Sequence, residues 1–197
     1  MLLLLVMALA IACHEDYSPK PRGYFRIDLP EKSYKKLDTT LPYKFEYPAY
    51  AIITNDPYAP NEKNWINVNF PSFKAVLHLS YEPVNNNLDK YLNDAHTLVS
   101  KHIPKAEAIY DSLIYHPEKN IYGLAFRIEG LGAASPYQFY VTDSVKHYLR
   151  GALYFNIQPN NDSLAPVINF LEKDIDHMVN TIEWKTNTGL TAKAPRR

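Results

Sequence analysis

The sequence predicts an α+β fold, an antiparallel sheet with two main helices packed on it. Two observations carry this. Short runs of period two follow one another along most of the chain, bounded by turn residues, and two longer segments switch to the helical period without a regular strand-helix alternation. The composition agrees: 46% of residues are hydrophobic and 21% charged, enough to bury a core, with 16 tyrosines and 15 prolines as its peculiarity.

Strand signals begin at 44–47 and 50–54. In 65–70, Ile66, Val68 and Phe70 share one face; in 75–81, Ala75, Leu77, Leu79 and Tyr81 oppose Val76, His78 and Ser80. The segment 88–102 places Leu88, Tyr91, Leu92, Ala95, Leu98 and Val99 at helical spacing, between Asn86-Asn87 and the terminating Pro104. A second block of strands follows at 111–115, 122–129, 138–142 and 149–158, with a turn at 116–120. The last helix is expected over 163–182, where Leu164, Val167, Ile168, Leu171, Ile175, Met178, Val179 and Ile182 form one stripe. Asp162 or Ser163 is its expected N-cap, which puts Pro166 in the first turn. A single domain over 31–185 and a flexible polar tail over 186–197 follow from this reading. The opening Phe45-Glu46-Tyr47-Pro48, the central helix and the closing helix with its apolar end Ile182-Glu183-Trp184 resemble the Mog1/PsbP-like arrangement.

The N-terminus carries a different message. Residues 2–12 are apolar, too few to cross a bilayer, which takes about 20, but of signal-peptide length and ending in the small-residue pattern Ala10-Ile11-Ala12. No Lys or Arg precedes Leu2, so a basic n-region is missing. Cys13, the sole cysteine, follows directly. Leu9-Ala10-Ile11-Ala12-Cys13 resembles the bacterial lipobox, with Ala10 where a larger aliphatic residue is usual. The resemblance implies that 1–12 is a lipoprotein signal peptide, and that Cys13 carries a diacylglycerol and an added acyl chain of the palmitate kind as its membrane anchor. Residues 13–30, rich in proline and charge, then form a lipidated, extended tether. With one cysteine, no intrachain disulfide can form.

Several function classes drop out. Lys+Arg and Asp+Glu both number 21, so no net field draws the chain to nucleic acid. The glycine-containing stretch 130–135 leads into Pro136 and a strand, as a hairpin turn does, whereas a phosphate loop opens a helix. The pairings His96 with His102, Asp143 with His147, and Asp174 or Asp176 with His177 lack metal-site spacing, so the histidines read as surface residues and no metal is expected. There is no Gly-x-Ser-x-Gly elbow, Cys13 is assigned to lipid, and carboxylates such as Glu129 and Asp174 read as solvated face residues. No catalytic residue is assigned, and no cofactor beyond the lipid on Cys13 is expected.

The segment PKPRGYFRIDLP at 19–30 sets Arg22, Tyr24, Phe25 and Arg26 on an extended strand near the anchor. These four are candidates for binding a partner's sheet edge or surface; equally, Tyr24, Phe25 and Ile27 can pack as an edge strand of the protein's own sheet, leaving the arginines solvated.

The stretch from Cys13 to Tyr34, together with Phe45-Glu-Tyr-Pro48, Leu77-His-Leu-Ser-Tyr81, the run from His147 to Asn156 and Asp162-Ser-Leu-Ala-Pro-Val167, resembles the gliding-motility lipoprotein GldD family of Bacteroidetes. The resemblance implies a cell-envelope lipoprotein anchored in the outer membrane, a non-catalytic accessory of gliding motility and type IX secretion. Its implied partners are other gliding and secretion proteins, and it offers no catalytic residue to carry over. Glu15 and Asp16 resemble the acidic surface-export signals of lipoproteins in that phylum, so periplasmic and surface-facing placements both stay open. The competing reading is an envelope enzyme or receptor that holds a small glycan or peptide in a tyrosine-lined pocket, gathering His78, Arg127 and Tyr140 off the core face.

Overall fold

A computed structural model describes residues 27–37, 39–157 and 160–185. Residues 1–12, expected to be a signal peptide, Cys13, the partner-binding candidates Arg22, Tyr24, Phe25 and Arg26, and the expected tail 186–197 lie outside the described residues.

The first strands are short: β1 (Tyr34–Lys36), β2 (Tyr43–Lys44), β3 (Glu46–Pro48) and β4 (Ile52–Asn55). Then come β5 (Ile66–Phe70), β6 (Ala75–Pro83) and helix α1 (Leu88–Ser100), followed by β7 (Ala108–His116), β8 (Ile121–Glu129), β9 (Tyr137–Thr142) and β10 (His147–Phe155). Helix α2 (Asn161–Asn180) and β11 (Glu183–Trp184) close the described chain. Seven strands form an antiparallel sheet in the order β4-β5-β6-β10-β9-β8-β7, while β1 pairs with β3 and β11 with β2 in two small ribbons. This is the α+β architecture expected, an antiparallel sheet carrying two helices.

Each helix covers one face of the sheet. Under α2, Val167, Leu171, Ile175 and Met178 meet Val68, Phe70, Leu77, Leu79, Phe139, Val141, Leu149 and Leu153. On the opposite face, Ala95 and Val99 of α1 meet Phe126, Ile128, Tyr140 and Tyr148. With both faces covered, all six positions of β9 are buried, and its sequence shows no polar alternation for that reason.

Element ends differ from the sequence reading in ways that hydrogen bonds explain. α2 starts before 163 because Asn160, not Asp162 or Ser163, is the N-cap, its side chain accepting from the Ser163 N–H at 3.4 Å. Pro166 therefore falls beyond the first turn, where its missing N–H forgoes one intrahelical bond. α1 stops at Ser100, and the His102 N–H bonds the Val99 carbonyl on the way into a 3-10 turn at Ile103–Lys105. β1 answers to no pattern in the sequence and exists through its pairing with β3, Tyr34 opposite Pro48. The loop 130–136 is a hairpin connection between β8 and β9, as read. Gly130 has φ 137°, and a Cβ there would sit 2.5 Å from the Lys105 carbonyl oxygen. The Asn161 amide ties the loop to α2 by donating to the carbonyls of Gly130 (2.8 Å) and Ala133 (3.0 Å).

Candidate functional site

Asp174 lies three residues after Leu171 and four before Met178, so the helix turns it inward with the apolar stripe. It is fully buried. Its carboxylate pairs with the Lys32 ammonium at 2.7 Å and accepts the hydroxyls of Tyr34, also at 2.7 Å, and Tyr50. Lys32 also lies 3.7 Å above the Phe170 ring, and Tyr34 stacks on His177 at 3.7 Å. Burial first, and then the Asp174 hydrogen bond and charge, push both phenols above the ordinary tyrosine range, so they stay protonated donors. The cluster clamps the segment 32–50 to α2. The reading of Asp174 as a solvated face residue is thus corrected: its helical spacing, within the apolar stripe, was the signal for its inward placement.

A second polar constellation lies between β7, β8 and α2. Arg127 donates from Nη2 and Nε to Glu172 Oε2 at 2.8 and 2.9 Å. Glu172 is only 3% exposed, and its other oxygen has no hydrogen-bond partner among the described residues. Burial raises this carboxyl, against the lowering effect of Arg127. Nearby, Tyr137 donates its hydroxyl to Asp176, and burial followed by that bond pushes the phenol up. Arg127, Tyr137 and Asp176 border a groove of about 410 Å³, which Tyr110, Tyr115 and Asn180 also line. Arg127 also borders a hollow of about 240 Å³ next to it, which Glu107, Glu129, Asp162 and Glu172 share.

The trio proposed for a ligand pocket does not assemble. Arg127, opposite Tyr137 in the β8–β9 register, points to the α2 face and not away from it. Tyr140 is packed beneath α1 with Phe126 and Tyr148. His78, on β6, has β10 between it and β9 and meets the Asn67 side chain at 2.8 Å. A tyrosine-lined groove is present, but between β7 and α2.

Most of the described histidines are fastened to neighbours. In the turn before β10, Asp143 Oδ1 accepts the backbone N–H groups of Val145, Lys146 and His147 at 3.0, 2.7 and 2.8 Å. Burial raises the Asp143 carboxyl, but these bonds outweigh it and hold the group below its usual range. The His147 ring stacks on Trp184 at 4.9 Å, with Nδ1 2.8 Å from the Tyr81 hydroxyl. His177 lies 2.9 Å from Glu46, and His96, the exposed one among the described histidines, meets Phe126 edge-on. Among the described residues no group of three or more His, Cys, Asp or Glu is placed to hold a metal ion, and no helix is long and apolar enough to cross a membrane.

A family model described as gliding motility lipoprotein GldD matches residues 14–184. The chain belongs to the GldD family. The match begins directly after Cys13 and includes every sequence stretch that carried the resemblance beyond that residue, together with α1, α2 and all seven strands of the large sheet. As a GldD family member the chain is associated with gliding motility and with a lipoprotein's place in the cell envelope. No curated protein matches it. Among solved structures, the solution structure of cyanobacterial PsbP (CyanoP) from Synechocystis sp. PCC 6803 is similar, at 12% identity and a TM-score of 0.48, covering 85% of this chain and 100% of that one.

Proposed function

We propose that the chain is a non-catalytic accessory component of the gliding-motility and type IX secretion machinery, held at the outer membrane by lipid on Cys13 and acting through protein contacts. The observation that carries this is the GldD family match over residues 14–184. The chemistry of the described residues supports it. The buried carboxylate Asp174 is committed to three donors that clamp the fold, Glu172 is held by Arg127, and Asp143 is committed to a turn. Anchoring suits such a role, since two proteins tethered to one membrane meet at high effective concentration and weak contacts then suffice.

Fractionating cells that carry Cys13→Ser tests the anchor: the protein leaves the membrane fraction and gliding is lost. Arg22→Ala with Arg26→Ala tests the tether, and co-purification with other secretion-system proteins falls while membrane retention stays. Co-purification unchanged in the arginine variant removes that segment from the proposal; a Cys13→Ser protein that stays in the membrane removes the anchor.

A further inference from the structure

Two strands end the large sheet, and they end it differently. β4 has four residues, too few to template much pairing. β7 has nine, Ala108–His116, a length of about 30 Å at the usual strand rise. Among the described residues no strand pairs with its outer side. Folded proteins blunt such an edge with lysine, proline or a bulge. The β7 sequence AIYDSLIYH contains no Lys, Arg, Pro or Gly, and it pairs with β8 residue for residue without a bulge. Instead it exposes Leu113 at 74%, Tyr115 at 62% and Tyr110 at 54%.

Between the flanking Lys105 and Lys119, acids predominate beside this edge among the described residues. Glu107 precedes β7, Asp111 lies within it, and Glu129, Asp162, Glu172 and Asp176 line the two adjoining hollows, in which Arg127 is the sole Lys or Arg among the described residues. That arginine is already engaged by Glu172.

We propose that β7 is a docking strand for an extended segment of a partner polypeptide in which apolar and basic side chains alternate. The segment adds to the sheet through the outer backbone groups of β7, which no described strand pairs, in the mode known as β-augmentation. Its apolar positions cover Leu113 and Tyr115, which pair with Leu124 and Tyr122 of β8 and also border the rim of the groove. Its lysines or arginines lie over the groove on the α2 side, near Asp176. This deepens the proposed function by naming the surface through which protein contacts are made. It stands apart from the Cys13 and Arg22/Arg26 experiments, which leave β7 intact.

The test selects displayed random peptides of about twelve residues, long enough to span β7, on the purified full chain and on Leu113→Lys/Tyr115→Lys. Both positions are exposed, so the variant keeps its fold, which circular dichroism checks. Expected are peptides with alternating apolar and basic residues, which slow hydrogen exchange in the β7 amides and bind the double-lysine variant about tenfold or more weakly. Asp176→Asn, which keeps an acceptor for Tyr137, weakens them by up to about fivefold and abolishes the preference for Lys or Arg. The proposal is overturned by the absence of binders tighter than about 100 μM, or by binding indifferent to the double-lysine variant. It is equally overturned if the β7 amides are already protected without peptide. Protection that rises with protein concentration assigns the edge to a second copy; protection lost on deleting residues 14–26 assigns it to the chain's own Arg22–Leu29 stretch, which shares the alternation.

Discussion

Replacing Asp174 with alanine leaves the Lys32 ammonium and the hydroxyls of Tyr34 and Tyr50 without their common acceptor. Groups stranded in this way lose more than the bond itself, so the variant is expected to be less stable by about 3 kcal/mol, measured by urea unfolding. Asp174→Asn keeps an acceptor and costs less. A loss in the alanine variant under about 1 kcal/mol means that water replaces the carboxylate and that no clamp exists. At this scale the sequence was legible in part. The inward turn of Asp174 could be read from its spacing to Leu171 and Met178, but its donors lie more than 120 residues away in the chain, and no local pattern announces them. The four binding candidates, Arg22, Tyr24, Phe25 and Arg26, rest on residue type and on nearness to Cys13, which are local properties.

At the scale of elements, close strand packing sets what a side chain may be. A Cβ on Gly123 would fall 1.9 Å from the backbone oxygen of Tyr140 in the adjacent strand, whereas one on Gly132 meets only the Lys105 side chain, at 3.5 Å. Gly123→Ala is therefore expected to cost about 2 kcal/mol, because backbone cannot step aside, and Gly132→Ala to be neutral within about 0.5 kcal/mol. Thermal unfolding of the two variants side by side checks this; equal melting temperatures contradict it. The same close packing explains which elements were readable. In β5 and β6, polar residues fall on one face, so Ile66, Val68, Phe70, Leu77 and Leu79 declare their side. In β8 both faces are covered, Phe126 and Ile128 by α1 and Ile121 and Ala125 by the core under α2, so alternation could not say on which side Arg127 stands. The groove between β7 and α2 depends on that side.

For the molecule as a whole, three rings set a dependence on acidity. Burial lowers the affinity of His78, His102 and His147 for protons, with Asp56 or Asp143 opposing it at the first and last. The folded rings take up protons at lower pH than those of the unfolded chain, which do so below about pH 6.5, so stability falls as pH drops through that point. Glu172 acts in the opposite sense: its raised carboxyl favours the fold in acid, and that contribution fades as pH rises above the ordinary glutamate range. With three rings against Glu172 and Glu82, whose carboxyl burial likewise raises, the urea midpoint is expected to be lower at pH 5.5 than at pH 7.5, and the difference to shrink in His147→Gln. Equal midpoints contradict the desolvation of the rings. The topology reaches further still. β6 obtains its inner neighbour only when β10 pairs with it, from His147 opposite Pro83 to Phe155 opposite Ala75, and Trp184 then zips onto Tyr43. A nascent chain cut short before Phe155 thus holds a half-sheet with a raw inner margin, prone to clump. Synthesis must pass Phe155 before β6 finds its second neighbour, and a helper that shields that margin during the wait suits this architecture.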